Sequence, residues 1–460
     1  MAARLIAVQS TLRTSRVARA ASWSTASFAI LQFVRIVTSI ILAHLLAPEM
    51  FGVMAIIFVI QGIMTLLSDF GVRLAVVQSK RGDEPTFVNT AWSLEILRGT
   101  GTWLVGVIIA IGLHAAGSAG WLGETSVWSS PELPMALAVT IFVAVISGLQ
   151  STKLLTAQRN LEGRELAVIE LTGQIACSLI MILIANIYAT VWALVAGVLA
   201  SAMLTTAMSH FWLRGSPNRF LLDRQAIVEI FGTGRWILLS SGLYAISNNL
   251  DRFVFAAYVT AAQLGLYSIA LNLQLLVEAV GNRIFATVAL PTLSKTAHDA
   301  PAKFRNDLMR LRLPVDIAFL FAAGLLFATG PKIVEIIYDE RYLDAGFMVQ
   351  FLSFSLVFSR YGILNMAYVA LGQASFMAMT TGVRVVTSLT LMLPLLHWYG
   401  LPGGLLAVAI HGAPSVAYQF WVNSRLGLND LGHEIRVLAA WPAGYATGLA
   451  GIALLRLVGV

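Results

Sequence analysis

Six arginines stand inside apolar stretches of this chain: Arg35, Arg98, Arg252, Arg283, Arg360 and Arg384. A guanidinium at the centre of a membrane helix costs about 2.5–3.5 kcal/mol on insertion scales, so each needs a partner, water or a ligand. Its planar fork matches a phosphate group two hydrogen bonds at a time. Arg283 sits close to the end of its stretch and reaches the surface by snorkelling. The other five, Arg35, Arg98, Arg252, Arg360 and Arg384, lie near mid-stretch and form a candidate binding set for an anionic headgroup. The carboxylates at similar depth are Glu95, Asp251 and Glu278. Glu95 and Arg98 are three apart on one helix face and can neutralise each other. Asp251 and Arg252 are adjacent, roughly 100° apart around a helix, and so face different neighbours. Asp251 and Glu278 are candidate proton or cation sites, with counter-ions as the plain alternative. The surplus of cations predicts a water-filled, electropositive cavity. The competing expectation is that the arginines pair with acids or helix C-terminal carbonyls and only fix the packing.

The elements that must hold these residues are membrane helices. Of 460 residues, 58% are hydrophobic and 12% charged, with mean hydropathy +0.80. Lipid is the solvent that suits such a composition. Apolar runs of membrane-spanning length recur from Ser22 onward, twelve of them through Asn423 and a thirteenth over Ile435–Val458. With the N-terminus inside, the inner segments collect most of the basic residues, among them Arg4, Arg73, Lys80, Lys153, Arg159, Arg219, Lys303 and Arg425. The outer segments hold Lys332, Arg341 and Arg456. That asymmetry predicts a cytoplasmic N-terminus. The expected organisation is a basic tail at 1–21, a six-helix lobe at 22–213, a cytoplasmic linker at 214–235, a second six-helix lobe at 236–425 and an accessory segment at 426–460. A weak repeat, Gly52…Gly71-x-Arg73 against Gly265…Gly281-x-Arg283, favours two parallel halves.

Several function classes are excluded. The net charge of +7 is scattered through short loops, so it points to anionic lipid and not to nucleic acid. No GxxxxGK[ST] loop is present for nucleotide hydrolysis. His44, His114, His210, His298, His397, His411 and His433 lack metal-ligand spacing, and Cys177 is the one cysteine, so no intrachain disulfide forms. No bound cofactor is expected beyond a proton or sodium gradient.

Particular segments carry a resemblance. Leu66-Leu67-Ser68-Asp69-Phe70-Gly71-Val72-Arg73-Leu74-Ala75-Val76-Val77-Gln78 and Asn89-Thr90-Ala91-Trp92-Ser93-Leu94-Glu95-Ile96-Leu97-Arg98-Gly99 are the longest. They are joined by Trp192-Ala193-Leu194-Val195, Gly234-Arg235-Trp236, Leu250-Asp251-Arg252 and Leu264-Gly265-Leu266-Tyr267-Ser268-Ile269-Ala270. In order and spacing they resemble the oligosaccharide flippases of bacterial polysaccharide biosynthesis, within the multidrug/oligosaccharidyl-lipid/polysaccharide exporter superfamily. The resemblance implies an all-α fold of two six-helix lobes around a central cavity. It implies movement of undecaprenyl-pyrophosphate-linked oligosaccharide units between leaflets of the bacterial inner membrane, by a transporter and not an enzyme. It places headgroup contacts on Arg98 and Arg252; Arg35, Arg360 and Arg384 are inferred from depth alone. Implied partners are the lipid-linked oligosaccharide, bilayer lipid, and polysaccharide polymerase and export machinery. The alternatives are a lipid II flippase, a cation-coupled drug exporter of the same superfamily, and an integral membrane glycosyltransferase or ligase.

Overall fold

The computed structural model describes residues 2–123 and 126–458, with side chains for 22–123, 126–232 and 246–457. The side chains of Gly234-Arg235-Trp236 and of the basic residues in 1–21 lie outside the described residues. Every regular element described is helical.

The first unit is built from α1 (Ala2–Leu45), α2 (Pro48–Leu67), α3 (Val72–Gln78), α4 (Pro85–Ser118), α5 (Leu133–Ile141), α6 (Val143–Gly148), α7 (Lys153–Arg159), α8 (Gly163–Ile187) and α9 (Val191–Phe211). Helix α10 (Arg224–Tyr258) carries the chain onward, and the division between units falls within it, between Ile246 and Ser247. The second unit continues with α11 (Ala261–Ile284), a π-helical turn at Phe285–Ala289, α12 (Leu290–Asp299), α13 (Phe304–Ile337), α14 (Asp344–Ser353), α15 (Ser355–Ser359) and α16 (Gly362–Ala370). It closes with α17 (Ala374–Ile410), α18 (Ala413–Leu426), α19 (Leu431–Leu438) and α20 (Ala440–Val458).

The expected linker at 214–235 is not where the units divide. Backbone amides of Arg219, Leu221 and Asp223 donate to the side chains of Asn89, Ser93 and Thr90 on α4, at 3.0, 2.9 and 3.1 Å. Ala226 and Ile230 are then buried against Val72, Val76 and Phe87. The linker is therefore part of the first unit.

Among the described residues, ten helical runs are long and apolar enough to cross a membrane, or eleven if the pair Leu133–Gly148 and Lys153–Arg159, bent by 65°, makes one more. The run Ala374–Leu426 holds the expected eleventh and twelfth spans. The chain folds back in it at Gly400, where φ is 59° and ψ is −145°. A Cβ added at Gly403 would fall 2.1 Å from the carbonyl oxygen of Leu395, which a continuous helix could not bring so near. Glycine at 400 supplies the positive φ that this reversal needs. The sequence repeat does not survive as equivalent structure. Gly71 has φ 70° in a turn, where its amide donates to Asp69 Oδ1 at 2.8 Å. Gly281 lies within α11, packed on Phe319.

The sequence sets 426–460 apart as an accessory segment; the structure packs it into the second unit. Helix α20 lies against α13 almost backbone to backbone. A Cβ on Gly324 would sit 2.1 Å from Trp441 O, and one on Gly444 would sit 2.1 Å from Phe321 O. Close approach through small residues is how membrane helices gain contact without a hydrophobic drive. Asp430 caps α19 by accepting from the His433 amide at 2.9 Å, a bond that holds its carboxyl below the usual range. Beyond that cap, Glu434 meets two arginines: Arg312 Nη2 at 2.7 Å and Arg360 Nη2 at 2.8 Å. Asp316 lies 3.1 Å from Arg312 and 3.3 Å from Arg360, with His433 Nε2 at 2.8 Å. Breaking a buried pair by removing one partner is costly, because the other charge stays behind. Glu434→Ala is expected to lose about 3–5 kcal/mol of stability, seen as early thermal unfolding of the detergent-solubilised protein. Unchanged unfolding would show that the network is not what docks the segment.

Candidate functional site

In the first unit the site is built around α4. Gly99 lets α4 approach α6 until an added Cβ would be 2.3 Å from Ala144 O, and Gly148 reciprocates at 2.6 Å from Glu95 O. That contact fixes the register of Glu95 and Arg98. Arg98 reaches back along the helix, its Nε 3.0 Å and its Nη2 2.5 Å from one oxygen, Oε2, of Glu95. Its Nη1 makes no hydrogen bond among the described residues. The Thr102 hydroxyl lies 2.8 Å from Arg98 O and 3.1 Å from Ser68 Oγ. These groups line a cavity of 530 Å³ walled by α2, the turn at Phe70, α4 and Phe231 of α10. Arg98 is the one charged residue in its lining, and the rest is nearly all apolar. Such a cavity suits an amphiphile, an apolar chain ending in an anion.

In the second unit the segments Leu250-Asp251-Arg252 and Leu264–Ala270 meet. Thr260 and Gln263 form a capping box that starts α11. Two turns on, the Tyr267 hydroxyl donates to Asp251 Oδ2. Asp251 is thus held by a neutral donor. Its neighbour Arg252 makes no hydrogen bond or ion pair among the described residues, and its Nε is shut off from solvent. Glu278 accepts from Gln274 Nε2 at 2.6 Å and from the Ser359 hydroxyl. Arg384 donates to Asn248 Oδ1 at 3.3 Å and to Ser247 Oγ at 3.4 Å. The fields of Asp251 and Arg384 act on both Glu278 and His411. The cluster therefore contains two carboxylates and two guanidiniums, with no ion pair within 4 Å among the described residues.

Arg35 and Arg360 behave differently from one another. Arg35 donates through Nε to Gln174 Oε1 at 3.2 Å, joining α1 to α8, and its side chain is exposed. Arg360 does not belong to the headgroup set. It is 3% exposed, bound to Glu434, Asp316 and the Tyr361 hydroxyl, and stacked 4.2 Å from the Tyr361 ring centroid. Two carboxylates and an aromatic ring enclose it: Nη1 lies 3.3 Å from Asp316 without a hydrogen bond, but burial among these groups leaves no face for a ligand. Sequence reasoning missed the network that claims it. The available signals were the i,i+4 pair Arg312 and Asp316 and a lone Glu434 ahead of an apolar run.

The described residues thus form a multi-pass helical membrane protein with incompletely paired arginines inside its apolar helices. Residues 41–347 match the family model described as polysaccharide biosynthesis protein, and the chain belongs to that family. The lipopolysaccharide biosynthesis protein WzxC of Escherichia coli (strain K12) is 22% identical over 325 residues, 70% of this chain and 63% of that protein. The match thus spans less than two thirds of that relative's length. Among solved structures, lipid II flippase MurJ in an inward closed conformation aligns with a TM-score of 0.69 at 13% identity, covering 93% of this chain and 92% of that one. An inward-facing multidrug resistance MATE family transporter of the MOP superfamily aligns at 0.66 and 13%, covering 89% and 95%. At such identities the likeness is one of fold.

The Asn89-Thr90-Ala91-Trp92-Ser93 segment is structural, since its polar side chains hold the backbone of 219–223. Each such bond contributes about 0.5–1.5 kcal/mol. The triple variant Asn89→Ala, Thr90→Val, Ser93→Ala is expected to free that connection and speed its protease cleavage in membrane vesicles about tenfold or more. Equal cleavage rates would remove this role from the segment.

Proposed function

We propose that the protein moves undecaprenyl-pyrophosphate-linked oligosaccharide repeat units from the cytoplasmic to the periplasmic leaflet of a bacterial inner membrane, by alternating access, with its N-terminus in the cytoplasm. What carries this reading is the state of Arg98 and Arg252. Both lie in the stretch matched to the family, both sit in apolar helices, and both keep guanidinium nitrogens without a protein partner among the described residues. Pyrophosphate is the natural complement of such groups. Arg35 and Arg384, bonded only to neutral side chains, are secondary candidates for headgroup contact. A cationic drug would need the opposite sign of surplus charge. An inside-negative potential assists export of an anion by about 2.3 kcal/mol per charge per 100 mV.

Loss of the protein is expected to leave lipid-linked oligosaccharide accumulating inside and to deplete surface polysaccharide; normal polysaccharide with lost drug resistance would overturn the reading. Arg98→Gln and Arg252→Gln are each expected to lower export about tenfold or more at unchanged membrane abundance. Full export in both would refute the anion-binding role.

Asp251 and Glu278 are the groups through which a proton or sodium gradient would couple. Both carboxyls accept from neutral donors and have no cation within 4 Å among the described residues, the arrangement that a site for a coupling ion needs. Glu278→Gln is expected to leave substrate binding intact but to uncouple transport from the ion gradient in proteoliposomes. Retained gradient dependence would reject Glu278 as the coupling group.

A further inference from the structure

The 530 Å³ cavity in the first unit is larger and more apolar than anion recognition alone requires. A pyrophosphate needs donors, yet most of this lining is hydrocarbon from Met64, Leu67, Leu97 and Val105. Its volume lies within the roughly 300–1,000 Å³ of small-molecule sites. Arg98 is part of the wall, with Nη1 unused while Glu95 keeps the guanidinium in place. Gly101 lies on the same wall, and a Cβ added there would meet nothing within 4 Å. Leu67, Leu97 and Val105 of the lining are about half-exposed, so apolar surface of the cavity is open to an incoming hydrocarbon chain.

We propose that this cavity seats the first isoprene units of the lipid-linked substrate, with the adjoining phosphate on Arg98 Nη1. The proposal rests on the flippase reading and adds a subsite to it: the tail nearest the phosphate is bound by protein, not left in bulk lipid. The occupant is a prenyl phosphate, chosen because an apolar cavity with a lone cation at its wall is complementary to both parts of that molecule. Glu95 neutralises Arg98 while the cavity is empty, so no lone charge is stranded there, and Nη1 stays available as a donor to the phosphate.

The test uses purified full-length protein in nanodiscs, with undecaprenyl phosphate, undecaprenol, inorganic pyrophosphate and dioleoyl phosphatidate as separate probes in native mass spectrometry. Undecaprenyl phosphate is expected to bind, and Gly101→Leu is expected to weaken it about tenfold or more by filling the cavity. Leu97→Trp, a second filling variant, is expected to do the same. Arg98→Gln is expected to weaken undecaprenyl phosphate but not undecaprenol. Gly112→Leu, at another open position on α4 outside this lining, is expected to leave binding unchanged. Wild-type affinity in both filling variants would overturn the proposal, as would equal binding of phosphatidate. Either result alongside accumulation of lipid-linked oligosaccharide in the deletion strain would leave the flippase reading standing and remove only this subsite.

Discussion

A charge in hydrocarbon must be satisfied by the protein itself, and the rest of this structure follows from how each arginine meets that demand. The cost of an isolated guanidinium is several times the thermal energy, and water is not there to relieve it. Arg312 and Arg360 meet it with Asp316 and Glu434, an arrangement closed further by Tyr361 and His433. These two arginines are spent on architecture. Arg98 meets it halfway, with a single oxygen of Glu95. Arg252 has no such partner among the described residues, and Arg35 and Arg384 have only neutral ones. Degree of pairing therefore separates cations that hold helices together from cations left able to hold something else.

The pairing pattern needs rigid helices, and in lipid that rigidity comes from contact instead of hydrophobic drive. Both units obtain it through glycine. In the first, Gly99, Gly106 and Gly148 draw α4 onto α5 and α6, while Gly173 and Gly197 seat α8 and α9 on each other. In the second, Gly324, Gly444 and Gly448 draw α20 onto α13. Backbones this close leave little room for rotation. Arg98 is fixed on the cavity wall because its neighbour Gly99 fixes the helix that carries it. In the same way, the α13–α20 contact carries Glu434 to within reach of Arg312 and Arg360.

Much of this was legible in the sequence. The helical membrane architecture followed from composition and run length, and Glu95 with Arg98 followed from their spacing on one helix face. What could not be read was partnership across the chain. Depth along an apolar run treats Arg360 and Arg252 alike, yet one is bound to a carboxylate 74 residues away and the other is not. The same blindness made Glu434 look like the edge of an accessory segment when it is a structural anchor. The segments that carry the family resemblance are a different case. Asp69-Phe70-Gly71 is a turn, closed by the bond from the Gly71 amide to Asp69, and Asn89-Thr90-Ala91-Trp92-Ser93 is a clamp on backbone. Their chemistry is local, though their similarity to family segments invites a functional role.

A carrier's binding site has an upper as well as a lower limit on affinity, because whatever enters must also leave. A guanidinium locked between two carboxylates, like Arg360, offers an incoming anion nothing. A guanidinium with no carboxylate would add its full desolvation cost to the empty protein and hold a pyrophosphate tightly. Arg98 stands between these extremes. Glu95 occupies two of its nitrogens through one oxygen, offsets the cost of the empty state, and leaves one nitrogen for exchange. Asp251 beside Arg252 is a second version of the same compromise: the carboxylate is nearby, but the Tyr267 hydroxyl engages it, so it moderates the cation without quenching it. On the proposed function, partial pairing is the property that would let these positions be stable inside a membrane when empty and still release an anion after binding it.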